Sequence, residues 1–282
     1  MNSPPDRFDS VPHERLHDFV VRAATHVGLP ADKAGLLAGL LAGNDLRGVF
    51  SHGTAQIATY AILMRDGKLN NAPAVTVVQE TDSSILLDGD GGLGYFPCWR
   101  GTEQIIAKAK ECGSAVLTTR NHHHFGAAGN YTRRATAHGC IGLAASSHRS
   151  NRDPGRPIYS TISSSPLSIG VPTRDQPPLV LDMSGGILGF DQERYPSNHA
   201  SFFKSFGLSN LIQVLGGAVA GIYLDECVKG RWIANQGAFI AVFDTTHLMP
   251  EGGVQTQVDH YVGEARRMQP VPGTERAELS GG

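Results

Sequence analysis

The hydrophobic period of the chain changes once, near residue 74, and that change limits the folds open to it. Upstream, apolar residues recur at helical spacing. Leu16, Phe19, Val20 and Ala23 share one face of a first helix, which Gly28 and Pro30 stop. Ala34, Leu37, Leu40 and Leu41 point inward from a second helix over 32–45. Ile57, Tyr60, Ala61 and Met64 recur in a third, which follows Ser51 and is closed by Gly67 as a C-cap. Downstream the pattern becomes mixed. Val75, Val77 and the run 85–87 are β-rich and read as a hairpin. Strands are expected at 115–119, 141–146, 179–182 and 237–243, and helices at 98–112, 127–138, 208–223 and 254–268. The polar, Pro- and Gly-rich stretch 148–157 reads as a long loop. No internal repeat is visible. The expectation is an α/β protein in three parts: a helical region at 1–72, an α/β domain at 73–247, and a C-terminal helix and tail at 248–282 that packs back on the helical region.

Composition removes several classes of function. The chain has 282 residues, 18% of them charged, and a net charge of -2, with no basic cluster of the kind that nucleic-acid binding needs. No apolar run approaches the ~18 residues of a membrane span. The first nine residues hold two prolines and two acids and no apolar core, so no signal peptide is read there and a cytoplasmic protein is expected. On the same ground the formal glycosylation sequon 130–132 is discounted. Cys98, Cys112, Cys140 and Cys227 show no C-x-x-C spacing and read as reduced thiols.

Gly89, Gly91 and Gly94 spell G-x-G-x-x-G after a strand, which is the dinucleotide fingerprint of a Rossmann unit. The rest of that fingerprint is missing. The next strand ends at Thr119 and Arg120 rather than at an acid, and Tyr95, Phe96, Pro97 and Trp99 crowd the phosphate position. The competing reading is a glycine turn that carries the chain from strand to helix.

A longer set of motifs is more specific. The stretch 44–53, Asn-Asp-Leu-Arg-Gly-Val-Phe-Ser-His-Gly, resembles the A-D-L-R-G-x-x-S-H-G signature of the type-2 lactate/malate dehydrogenase family. Tyr60 with Gly67 and Lys68, the turn 88–94, Arg120 to Gly126 with Gly129 and Tyr131, Leu181 to Ser184, and Lys204 to Leu208 resemble further family motifs in the same order. The family includes ureidoglycolate, sulfolactate and diketogulonate oxidoreductases and reductases of cyclic imino acids. The resemblance implies a mixed α/β fold with a largely antiparallel central sheet, and nicotinamide binding without a Rossmann unit, so that 73–247 is the cofactor-binding domain. It also implies a homodimer with sites near the subunit interface.

Reduction of a 2-oxo acid needs a hydride over the carbonyl carbon, a proton for the forming alkoxide, and a cation for the carboxylate. His52, placed by Ser51 at a helix start, titrates near neutrality and is the first candidate for the proton. His124, the last of three consecutive histidines, is the second; the resemblance gives it an acid/base or cofactor-contact role. Consecutive side chains diverge, so no metal site is read from the three. Arg47 is the candidate carboxylate clamp. Asp182, Met183, Ser184 and Lys204 are expected to meet NAD or NADP, with Ser146 and Thr161 as weaker candidates. Ser51, Gln56 and Ser165 are candidate substrate contacts.

The chain departs from the family pattern at several points. Phe50 stands where an acid is usual, Gln56 where an arginine is usual, Ser165 in Ser164-Ser165-Pro166 for an asparagine, and Ser205 for a glycine. A family segment is missing between Asp182 and Lys204, and the chain stops at 282 where members continue. The expected function is an oxidoreductase on small 2-oxo acids and 2-hydroxy acids. The alternative is a catalytically weakened or inactive paralogue that keeps the fold and a nucleotide site.

Overall fold

A computed structural model describes residues 9–150, 152–161 and 165–273, together with 277 and 279. Three helices open the chain: α1 (His13–His26), α2 (Ala31–Leu46) and α3 (Gln56–Arg65). Val20, Ala24, Leu37, Leu41, Ile57, Tyr60 and Met64 interlock into one apolar cluster, which takes in Leu93, Tyr95 and Phe96 at the start of α4 (Tyr95–Cys112). Of the residues that helical periodicity singles out, Leu16, Phe19 and Ala61 stay outside this cluster, Phe19 being 51% exposed. Val20 and Ala24 take the buried face of α1, and Phe19 is turned off it to solvent.

Seven strands form one sheet: β1 (Thr76–Glu80), β2 (Ser84–Asp88), β3 (Ser114–His122), β4 (Cys140–His148), β5 (Pro166–Val171), β6 (Leu179–Ser184) and β7 (Gln236–Asp244). Their order is β1-β2-β3-β7-β4-β5-β6. Only β2 and β3, joined through α4, run parallel. The result is a mixed α/β fold with a mostly antiparallel sheet. Ile85, Leu87, Leu117, Ile240 and Val242 of the sheet pack with Ile105 and Ile106 of α4 and with Tyr131 and Ala135 of α5 (Gly129–Thr136).

Three further elements differ from the sequence reading. The long helix α6 (Tyr195–Gln213) begins well before residue 208 and passes into a π-turn at Val214–Ala218. Gly216 lies so close to β4 that a Cβ would sit 2.5 Å from the Cα of Ser146, and this contact replaces a longer run of helix. A short helix α7 (Asp225–Val228) follows. The last helix, α8 (Gly253–Ala265), ends three residues earlier than the sequence reading. Its Gln255 donates to Thr245 Oγ1, and its Asp259 accepts the backbone N–H of Arg174 and Asp175, so its bonds run to the loops of the sheet. No described helix is long and apolar enough to cross a membrane.

Candidate active site

Five segments far apart in sequence wall one cavity of about 650 Å³. They are the turn 49–52, residues 124–128 leading into α5, the end of β4, the start of β5, and residues 182–184 of β6, with Gln236 from β7. The volume falls in the usual range for small-molecule sites.

The first wall is built by the polar end of α2. Asn44 Nδ2 donates to the His52 carbonyl at 2.9 Å. Asp45 Oδ2 accepts from Thr54 N at 2.9 Å and from Thr54 Oγ1 at 2.6 Å. These bonds fold the chain into a 3-10 turn at Phe50–His52, and Gly53 is required there because a Cβ would overlap the Asp45 carboxylate. Ser51 therefore does not cap the third helix. That helix starts at Gln56, and the Ser51 hydroxyl instead lies 2.9 Å from His52 Nδ1.

The opposite wall is Asp182. Its Oδ2 accepts the Gly129 N–H at 2.9 Å, closing the N-terminus of α5. Gly129 leaves room for that carboxylate, which a Cβ would meet at 2.6 Å. Solvent reaches Asp182 through the cavity, yet the surrounding protein is dense enough to raise its carboxyl above the ordinary range. The Gly129 N–H and the nearby His52, Arg133 and Arg47 oppose that rise.

The three consecutive histidines diverge. A bulge after Thr119 and a left-handed Asn121 (φ 52) turn them to different sides. His122 enters the core, with Nε2 2.9 Å from Thr119 Oγ1 and Nδ1 2.7 Å from the His123 carbonyl, and burial pushes it down to about 4. Burial also lowers His123. His124 reaches the cavity, where its ring lies 5.3 Å from that of His52, centroid to centroid. Burial, followed by the neighbouring His52, pushes His124 down to about 3. Its Nδ1 is 2.6 Å from the Tyr60 hydroxyl. His52 is lowered by burial and raised in part by Asp182. Among the described residues no group of three or more His, Cys, Asp or Glu is arranged to hold a metal.

Of the residues singled out from sequence, Ser51, His52, His124, Ser146, Ser165, Asp182, Met183 and Ser184 line this one cavity. Ser164 lies outside the described residues. Four other candidates do not line it. Gln56 is turned away, its Nε2 donating to the Ser51 carbonyl at 2.7 Å. Thr161 is used in its own turn, donating to the Ile158 carbonyl at 2.6 Å. Lys204 sits in the middle of α6 on its exposed side, because the helix begins nine residues before it, at Tyr195. Arg47 sits behind the wall, with Nη2 donating to Asn44 Oδ1 at 2.8 Å and to Asn130 Oδ1 at 3.2 Å. It still feels the Asp182 charge.

Several lining residues were missed. Ser147, His148 and Gln236 line the cavity, with His148 and Gln236 facing each other across the β4–β7 ladder. The long alternating β4 was their signal. Arg133, which does not line the cavity but acts on Asp182, was also missed. It lies one turn beyond Gly129 on α5, is lowered by burial, and is drawn to Asp182. Arg120, near the end of β3, and Arg149, just after β4, are committed elsewhere: Arg120 to Asp88 and Glu226, Arg149 to the carbonyls of Ile222 and Cys227.

The G-x-G-x-x-G turn is no phosphate cradle. The amides of Gly89, Gly91 and Gly94 donate to the carbonyls of Arg120, Asn121 and His123, and the Trp232 indole occupies the space beside Gly91. The glycines serve close packing, although β2-α4-β3 is locally a parallel strand–helix–strand unit.

A model of the malate/L-lactate dehydrogenase family matches residues 11–191. The malate dehydrogenase of Pyrococcus horikoshii is 27% identical over 318 aligned positions, covering 98% of this chain and 88% of the relative. The alignment is longer than the 282 residues here, so the relative has positions without a counterpart in this chain. The L-sulfolactate dehydrogenase of Methanocaldococcus jannaschii is 25% identical, covering 93% and 86%. The solved Pyrococcus malate dehydrogenase superposes with a TM-score of 0.84, covering 98% of this chain and 87% of that one. A malate dehydrogenase structure from Entamoeba histolytica, 21% identical, covers 98% and 90% with a TM-score of 0.83 and shares the fold.

Proposed function

The chain belongs to the malate/L-lactate dehydrogenase family, and from that premise we propose that it interconverts small 2-oxo acids and 2-hydroxy acids with NAD or NADP. The observation that carries this reading is the meeting of His52, His124 and Asp182 around one cavity, with the two imidazoles 5.3 Å apart.

The other end of the cavity fits a nicotinamide nucleotide by its chemistry. Ser146, Ser147, His148, Ser165, Ser184 and Gln236 supply hydroxyl, imidazole and amide groups of the kind that hold ribose and phosphate. The cofactor would supply the hydride for C2 of the oxo acid. The protein's share is to place that carbon between the walls, exclude water and deliver a proton. His52 is the proposed proton donor. It is half-buried, Ser51 orients its Nδ1, and burial lowers it while the Asp182 carboxylate partly restores its charged form. After transfer, His52 is neutral and the product carries a 2-hydroxyl.

Gln56 cannot hold the substrate carboxylate from where it lies. Arg133 and Arg47 supply positive charge on the Asp182 side. Among the described residues the Arg133 guanidinium donates no hydrogen bond, and its charge acts on Asp182. We assign the carboxylate to this side of the site. A homodimer would cover the exposed apolar side chains of Ile158, Ile187, Phe203 and Leu211.

The test follows oxidation of NADH and of NADPH with a panel of 2-oxo acids that includes pyruvate, oxaloacetate and sulfopyruvate. Turnover by the wild type and its loss in His52→Ala support the reading. No turnover together with no nucleotide binding refutes it.

A further inference from the structure

Two histidines face the cavity, and the reaction needs one proton. The buried residues behind His124 divide the work between them. Tyr60 on α3 is 1% exposed and Tyr95, the first residue of α4, is fully buried. The Tyr60 hydroxyl lies 2.6 Å from His124 Nδ1 and 3.3 Å from the Tyr95 hydroxyl. His124 lines the cavity, and its Nε2 has no hydrogen-bond partner among the described residues.

Counting protons decides the direction of this chain. If His124 Nδ1 carried the proton, it would donate to Tyr60, and Tyr60 would donate to Tyr95. The Tyr95 hydroxyl proton would then be left without an acceptor, since Tyr60 is its one hydrogen-bond partner among the described residues. A buried, unsatisfied hydroxyl costs on the order of tenfold to a hundredfold in population. In the opposite direction every proton is used: Tyr95 donates to Tyr60, and Tyr60 donates to Nδ1. We propose that Tyr60, oriented by Tyr95, is a positioning residue that holds His124 as the Nε2–H tautomer, so that His124 offers the cavity a hydrogen-bond donor and leaves proton delivery to His52.

Burial supports the same division. It pushes both Tyr60 and Tyr95 well above their ordinary range, so passing a proton from Nε2 and refilling Nδ1 from Tyr60 would end in a buried phenolate. The balanced step is therefore a hydride to C2 and a proton from His52 to the forming alkoxide. The Nε2–H bond of His124 persists throughout and polarises the same oxygen. This role rests on the function proposed above, but the tautomer does not.

The experiment is long-range ¹H–¹⁵N NMR on histidine-labelled protein near neutral pH, with His124 assigned by the loss of its signals in His124→Gln. The expected wild-type pattern is protonated Nε2 and bare Nδ1. In Tyr60→Phe the pattern should shift toward the other tautomer. The kcat for 2-oxo acid reduction should then fall about tenfold to a hundredfold while the nucleotide Kd stays put. Tyr95→Phe should keep the Nε2–H pattern with a smaller loss, since Tyr60 still donates. A wild-type spectrum with protonated Nδ1, or with both nitrogens protonated, overturns the proposal even if neither variant folds. Wild-type protein that turns over no 2-oxo acid refutes the functional reading and leaves the tautomer result standing.

Discussion

Lowering the pH should unfold this protein through histidines that the fold keeps neutral. His122 is buried, with its two ring nitrogens bonded to Thr119 and to the His123 carbonyl, and it is held down to about 4. His124, behind the cavity, is held down to about 3. In the unfolded chain both bind a proton near the ordinary value of 6.5. Below that value the unfolded state holds more protons than the folded one, so stability falls as pH falls. The sign is the reverse of a histidine stabilised by a carboxylate partner. At pH 5 each group costs ~2 kcal/mol relative to pH 8, or ~4 kcal/mol together, at about 1.4 kcal/mol per pKa unit. His52 and His123, also lowered by burial, act with the same sign. Asp182, raised by burial, acts against it, because its folded form takes up a proton first as pH falls. For a chain of this size ~4 kcal/mol corresponds to a fall in Tm of roughly 10 °C. Thermal unfolding by circular dichroism from pH 8 to pH 5, with urea melts at each pH, measures both quantities. His122→Asn should flatten the slope by about half even if it lowers the starting stability. A Tm that stays level over this interval, or a slope unchanged in His122→Asn, would show that these imidazoles are not kept neutral and would refute the reasoning.

Three further outcomes follow from the site. Asp182→Asn keeps an acceptor for the Gly129 N–H but removes the charge that raises His52, so the loss of reduction rate with rising pH should begin at lower pH, read from a kcat/KM profile. Arg133→Gln should raise KM for the 2-oxo acid about tenfold or more with nucleotide affinity unchanged, since a charged clamp is removed; an unchanged KM assigns the carboxylate elsewhere. Gly91→Ala should lower stability, because the residue has φ +70° and faces Trp232, yet leave nucleotide binding intact; a selective loss of binding in a folded variant would restore a phosphate role for that turn.

Much of this fold was legible because its burial is periodic. The helical face of Leu37, Leu41, Ile57, Tyr60 and Met64 packs into one apolar cluster, and the strands at 85–87, 141–146 and 237–243 contribute to another. Legibility failed where long-range contact overrides local pattern. Residues 208–223 look like one apolar helix, but Gly216 and Gly217 bring the backbone against Ser146 and Ser147 and turn it into a π-segment. Ser51 looks like an N-cap, but Asp45, nine residues before Thr54, already holds that turn. Lys204 reads as the start of a helix because the run 191–199 is polar, although Pro196 in the first turn of α6 marks the earlier start.

The departures from the family pattern show what motif spacing records and what it leaves out. Spacing places position 56 one helical turn after His52, so a glutamine there reads as a lost charge. In the fold, Gln56 is drawn out of the cavity by the Ser51 carbonyl, and the charge beside Asp182 comes from Arg133, 77 positions later in the sequence. Electrostatics depends on distance in space, and the Arg133 guanidinium on α5 acts on the Asp182 carboxylate without lining the cavity itself. A charge can therefore change the element that carries it and still act on the site, provided the acid of the opposite wall stays. Asp182 does stay: it closes α5, raises His52 and draws both arginines. A double substitution, Gln56→Arg with Arg133→Gln, separates the two arrangements. If the site needs only net positive charge near Asp182, the double variant should recover most of the KM lost by Arg133→Gln; if it needs the charge on the α5 side, it should recover none.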